Sequence, residues 1–171
     1  MKDYAPNHYE RAFENWLIEN HIKYVHADEH SRHTLSQGSP KSFDFLLYLR
    51  DGRTVIAEVK GRRFKGTTLA KLTGLECWVT TEDIDGLVAW QSAFEQKYPV
   101  IIVFAYKIEK VDVDFDGRPL FSYDNNRYLF LTVNIEDYIR FMKQRSPKWR
   151  TVTLGADSFR QCARPIGEIL L

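Results

Sequence analysis

At 171 residues the chain has room for one globular domain with a substantial core and too little for two comfortable ones. Its 44% hydrophobic and 27% charged residues exclude intrinsic disorder, and a net charge of +1 leaves no whole-protein field from which to argue for a polyanion partner. The N-terminal residues lack an apolar leader core and no stretch approaches the roughly 18 apolar residues of a membrane span, so a cytoplasmic protein without membrane contact is expected.

Residues 8–21 place Tyr9, Phe13, Trp16, Leu17 and Asn20 at helical spacing and predict a helix. A short β segment over 22–25 and a polar loop over 26–41 follow. Residues 43–49 (FDFLLYL) and 54–59 (TVIAEV) are the clearest strands, joined by a turn at Asp51-Gly52. Beyond Lys60 comes a basic, glycine-flanked run over 61–66, and residues 77–79 are a candidate short strand. Thr80 or Thr81 can cap a helix over about 82–96, with Ile84, Leu87, Val88 and Phe94 on its apolar face. Residues 100–108 (VIIVFAYKI) have the unbroken apolar character of a central strand covered on both faces, reached by a crossover. The remainder reads as a hairpin, 120–123 and 128–133, around Asp124-Asn125-Asn126, then a helix over about 135–142 broken at Ser146-Pro147. A short strand over 152–154 and a helix opening at Asp157 or Ser158 and running to about 163 complete the chain. The order predicts a mixed sheet covered by helices. An aromatic content of 14% implies a ring-rich core with some aromatic surface left for a partner. Cys77 and Cys162 are too far apart in sequence for C-x-x-C chemistry and read as reduced thiols.

The chemistry concentrates in Asp44 on the first clear strand and Glu58-Val59-Lys60 at the end of the second. Side chains two apart in a strand share a face, so Glu58 and Lys60 point one way and Val59 the other, and a hairpin brings Asp44 beside them. Alone, Glu58 and Lys60 would be solvent-facing charges on an amphipathic strand. Asp44, however, lies in an apolar run where an unpaired carboxylate is costly. Two carboxylates with a nearby carbonyl, that of Val59, form the hard oxygen set that magnesium prefers, and Lys60 can orient or activate a water or oppose charge developing on a phosphodiester.

The order Asp44, then Glu58-Val59-Lys60, resembles the D…ExK core of the PD-(D/E)XK nuclease superfamily, with Phe43 where proline is usual. Glu10-Arg11 in the first helix, the D…ExK residues and the helix–strand unit over 83–108 follow the order of archaeal Holliday-junction resolvases. The resemblance covers about residues 8–108. It implies a restriction-endonuclease-like α/β fold, a Mg2+ or Mn2+ cofactor, DNA as substrate, and Glu10 as a further metal ligand and site residue, with Glu14 one turn along in reserve. Residues 109–171 read as a hairpin and helix elaboration of the same single domain without a resolvase counterpart, so junction specificity is not carried over. The segment His8-Tyr9-Glu10-Arg11-Ala12-Phe13-Glu14 also resembles the signature of the HYExAFE family, best known from planctomycetes, which implies no activity.

Beside the D…ExK residues, Arg62, Arg63 and Lys65 are candidate phosphate contacts, with Gly61 permitting close approach and Phe64 available to stack. Lys148 and Arg150, with Lys143, Arg145 and Trp149, form a second basic and aromatic cluster, which as a charged helix end would have no binding role. Gln91 is a weaker lead, since a glutamine there lines the cleft in nuclease relatives, whereas core packing is expected of Trp90. His26, His30 and His33 could supply a transition-metal site only if their segment were helical. The leading expectation is a Mg2+-dependent nuclease. The alternatives are a catalytically inactive nucleic-acid-binding module with a nuclease fold and a homodimeric structural or regulatory protein.

Overall fold

The computed structural model describes residues 6–27 and 41–171. Helix α1 (His8–Glu19) opens on Asn7, whose side-chain oxygen accepts the backbone N–H groups of Tyr9 and Glu10. It buries Ala12, Phe13, Trp16 and Leu17 and gives way to strand β1 (Lys23–His26). The expected loop that follows lies largely outside the described residues, as do His30 and His33.

Strand β2 (Phe45–Tyr48) pairs antiparallel with β3 (Thr54–Phe64) through a turn in which Gly52 takes a positive φ of 87°. Asp44 is placed one residue ahead of β2 rather than within it. Its backbone nevertheless continues the ladder, donating to the Ala57 carbonyl and accepting from Ala27. β3 runs five residues past the expected end at Val59, because it pairs in parallel with β5 (Val100–Ile108) from Ile56 to Phe64. The basic run is therefore strand as far as Phe64, and alternates between faces there.

Between them come β4 (Val79–Thr80) and α2 (Thr81–Ala93), the crossover that the apolar β5 run implied. Thr80 and Asp83 form a reciprocal capping box, fixing the helix start. The buried face of α2 carries Ile84, Gly86, Leu87 and Trp90, whereas Val88 is exposed, contrary to expectation. The hairpin appears as β6 (Phe121–Tyr123) and β7 (Asn126–Asn134), with Asp124 and Asn125 both at positive φ, and β7 pairs antiparallel with β5.

Helix α3 (Ile135–Phe141) ends before the expected break at Ser146-Pro147. The next residues form β8 (Lys143–Ser146), a strand whose polar sequence carries no β signal and which exists through pairing with β9 (Thr151–Thr153). Helix α4 (Ala156–Cys162), a two-residue β10 (Arg164–Pro165) and α5 (Ile166–Leu170) finish the chain; the last two were not expected.

The main sheet runs β1-β2-β3-β5-β7-β10 with β6 on β7, and β4-β9-β8 form a smaller one. One core lies between the main sheet and α2, α3 and α4, joining Ile56, Phe104, Tyr106, Trp90, Tyr138 and Phe159. The other lies beneath α1 and α5 and joins Phe13, Phe45, Ala57, Val59 and Val103. β5 is buried almost throughout, as a strand covered on both faces must be. Among the described residues no helix is long and apolar enough to cross a membrane.

Candidate active site

The β2–β3 register sets Phe45 against Ala57, so the ladder brings Asp44 level with Glu58. The Val59 N–H donates to Asp44 Oδ2 at 2.7 Å, fixing one carboxylate oxygen on the β3 backbone. Val59 itself points into the α1 core, so Glu58 and Lys60 face the α2 side, as strand alternation requires. Glu58 is 5% exposed, and its Oε1 lies 3.0 Å from Lys60 Nζ. Among the described residues its Oε2 is buried without a hydrogen-bond partner. A buried carboxylate oxygen left unpaired is costly enough to require an explanation.

Burial, followed by the Glu58 carboxylate, pushes the Asp44 carboxyl well above the usual range, and Glu10 adds to the effect. Glu58 is likewise raised by burial, against the opposing pull of Lys60. Glu10 is 7% exposed and is the third residue of α1, where Asn7 Nδ2 donates to its Oε1 at 2.9 Å. Glu14 is turned elsewhere: its Oε1 accepts from Tyr24 Oη at 2.7 Å and lies 2.8 Å from His26 Nε2. Of the two candidate glutamates, Glu10 and Glu14, Glu10 is thus the one in the field of Asp44. Among the described residues no three acidic, histidine or cysteine side chains stand together as a ready cation cage.

Asp83, which was not singled out in the sequence, belongs to this cluster. It is 5% exposed, sits 3.0 Å from Lys60 Nζ through Oδ2 and pairs with Lys41 through Oδ1. Burial works against its ionisation, but the Lys60 and Lys41 ammonium groups prevail and hold its carboxyl at about 2. Lys60 is desolvated as well, yet the Glu58 and Asp83 carboxylates raise its pKa and keep it an ammonium. The pattern T-T-E-D carried the capping signal for Asp83 but nothing that announced its ion pair with β3.

The basic run divides by strand face. Arg62 lies on the Glu58 side, donates to the carbonyls of Gly61 and Trp78, and stacks 4.0 Å from the Trp78 ring centroid. Arg63 is exposed and pairs with Glu109 at 2.7 Å. Phe64 is buried in the core rather than free to stack. Gly61 serves packing instead of close approach by a ligand: a Cβ there would lie 2.1 Å from the Tyr9 ring. Arg62, Arg63 and Lys65 line a groove of about 810 Å³ with Tyr9, Glu76 and Trp78.

Lys148, Trp149 and Arg150 occupy the β8–β9 turn, where Trp149 is 69% exposed and Lys148 Nζ lies 5.2 Å from its ring centroid. The Arg150 carbonyl accepts the Thr81 N–H at 2.8 Å, tying this turn to the α2 N-terminus that carries Asp83. Gln91 instead donates to Glu136 Oε1 at 2.7 Å, toward α3, and Trp90 is core.

No family model matches the chain, and no curated protein is detectably similar to it in sequence. The HYExAFE resemblance therefore rests on residues 8–14 alone, and several of these have structural roles: Tyr9 packs on Gly61, Ala12 and Phe13 fill the core, and Glu14 binds β1. Among solved structures the chain is similar to Hjc, a Holliday junction resolvase of the hyperthermophilic archaeon Archaeoglobus fulgidus, with a TM-score of 0.54 and 10% identity over 95% of this chain and 98% of that one. The likeness extends past residue 108, where the sequence resemblance stops. At this identity it concerns architecture, and the mixed sheet flanked by helices is a restriction-endonuclease-like fold.

Proposed function

We propose that the chain is a divalent-metal-dependent nuclease acting on DNA. The observation that carries this reading is the buried, unpartnered Glu58 Oε2 beside the desolvated Asp44 carboxyl, with Lys60 held as an ammonium on the same face. Asp44 and Glu58 crowd like charges in a low-dielectric setting, a cost that a hard cation would relieve. In kind the donor set fits Mg2+ or Mn2+: Asp44 and Glu58 would hold it, with the Val59 carbonyl and Glu10 as further oxygens. The bound ion would supply an acidified water and charge neutralisation at the phosphate.

The protein's own groups have separable tasks. Asp44 is oriented by the Val59 N–H, which holds one of its carboxylate oxygens on the β3 backbone beside Glu58. Lys60, protonated, cannot accept a proton, so its task is to donate hydrogen bonds to the attacking water and to oppose negative charge on the phosphoryl oxygens. Lys65, Arg63, Lys148 and Arg150 would grip flanking phosphates, while Arg62, already bound to two carbonyls, shapes the groove.

A nucleic-acid-binding module that turns nothing over is favoured by one observation: Lys60 already neutralises Glu58 without a cation. The two readings separate when the protein is incubated with duplex, single-stranded and branched DNA in Mg2+ or Mn2+, beside Asp44→Ala and Lys60→Ala. Cleavage by the wild type reduced at least about 100-fold in both variants is expected of the enzyme. Binding of DNA with no cleavage and no calorimetric Mn2+ signal would leave the module.

A further inference from the structure

Lys60 is claimed by two carboxylates of unlike character. Glu58 is a strand residue with one oxygen on the ammonium and the other on nothing. Asp83 is fixed three times over. Its N–H donates to Thr80 Oγ1 at 3.0 Å, its Oδ2 accepts the Thr80 N–H at 3.1 Å, and its Oδ1 holds Lys41. It is the third residue of a 13-residue helix whose start the capping box defines. Of the two partners of Lys60, one is therefore anchored and the other is committed at a single oxygen.

A cation entering between Asp44 and Glu58 competes with Lys60 for the Glu58 carboxylate. If Glu58 were the only partner of a desolvated ammonium, that competition would be severe, because freeing the ion leaves a buried charge unpaired. Asp83 offers the ammonium a second, immovable counter-charge at the same 3.0 Å distance. We propose that Asp83 is a positioning residue that retains Lys60 at the site while Glu58 turns to the metal, so that metal and ammonium can be accommodated together. This rests on the metal-dependent reading and adds to it a residue that touches neither substrate nor ion.

The test is calorimetric titration of the full chain with Mn2+, comparing the wild type, Asp83→Asn, Lys60→Ala and the double variant, with Thr80→Ala as a control that removes the cap while leaving the Asp83 charge. Asp83→Asn should weaken Mn2+ binding about tenfold, since Lys60 then falls back on Glu58. In the Lys60→Ala background the same change should have little effect, because no ammonium remains to compete. Thr80→Ala, which leaves the Asp83 carboxylate on the Thr80 N–H and Lys41, should lower the melting temperature and shift Mn2+ affinity far less than Asp83→Asn does. Asp83→Ser serves as the second variant should Asn compromise folding, with the same expectations. An Asp83→Asn affinity equal to wild type, or equally weakened with and without Lys60, would overturn the proposal while leaving the metal site standing. A wild type that takes up no Mn2+ would overturn both.

Discussion

The two halves of β3 share one sheet and one principal neighbour, yet they are built to different ends. From Val55 to Ala57 the side chains are apolar and buried on both faces, sealing the cores beneath α1 and α2 at once. From Glu58 to Arg62 the α2 face carries three charges in succession, Glu58, Lys60 and Arg62. Their partners are brought in from α2 and from the Trp78 carbonyl. A strand that merely packs can end where its hydrophobic run ends. This one continues because parallel β5 keeps pairing with it to Phe64, so the sheet supports a row of costly charges. The first half should accordingly be separable as a stability element and the second as a functional one.

The sharpest way to break that division is at Ile56, fully buried against the α2 core. Ile56→Ala should lower unfolding free energy by about 4 kcal/mol, measured by urea denaturation. The fraction remaining folded should cleave at the wild-type rate. A loss of turnover beyond the loss of folded protein would mean that the apolar half also tunes the site.

Gly61 marks the boundary between the halves. An added Cβ would meet Tyr9 Cδ2 at 2.1 Å and Cγ at 2.2 Å, so Gly61→Ala should cost about 2 to 3 kcal/mol by thermal or chemical denaturation. Because the clash is with one ring, the same substitution in a Tyr9→Ala background should cost much less, and simple additivity of the two would contradict the assignment.

Asp83 sharpens the comparison on the charged side. Its folded pKa, about 2, lies below the ordinary 3.8, so its stabilisation is complete above about pH 4 and is lost as pH falls through about 2. A depression of this size in a buried group corresponds to about 2 kcal/mol. Asp44 and Glu58, whose carboxyls are raised, contribute with the opposite sign and at higher pH. The Asp83 contribution, together with its effect on Glu58, is read from the difference between wild-type and Asp83→Asn unfolding profiles over pH 2 to 5. A difference independent of pH there would refute the ion-pair account.

What was legible in the sequence follows the same boundary. The β5 run and the shared face of Glu58 and Lys60 were readable because each is local: apolar continuity marks a buried strand, and a two-residue spacing marks one face. The reach of β3 to Phe64 was hidden, since Gly61 and its basic neighbours look like a loop until a parallel partner is known. β8 was hidden for a similar reason, its Lys-Gln-Arg-Ser sequence acquiring strand form only from β9. The helix start beside Asp83 was visible through Thr80 as a cap, whereas its ion pair with Lys60 was invisible, because ion pairing across the sheet and helix layers has no sequence period. Glu10 entered only through the resolvase resemblance, which implies a first-helix glutamate at the site; Asn7, three residues before it, is what fixes its side chain.

Arg62 and Arg63 offer the smallest effects and the cleanest contrast, because they are adjacent in sequence and face opposite sides of one strand. Arg62 is half-buried, bonded to two carbonyls and stacked on Trp78, so Arg62→Ala should cost about 1 kcal/mol of stability. Its guanidinium is already engaged, so it should release no counterion on DNA binding, and the salt dependence of affinity should be unchanged. Arg63 is exposed, and its pair with Glu109 is a surface one. Arg63→Ala should leave the melting temperature unmoved while reducing the slope of log affinity against log salt by about one, the signature of a lost phosphate contact. Should the slope respond to Arg62 and not to Arg63, the flanking phosphate contact would lie on the Glu58 and Lys60 face of β3 and not at the exposed edge of the groove.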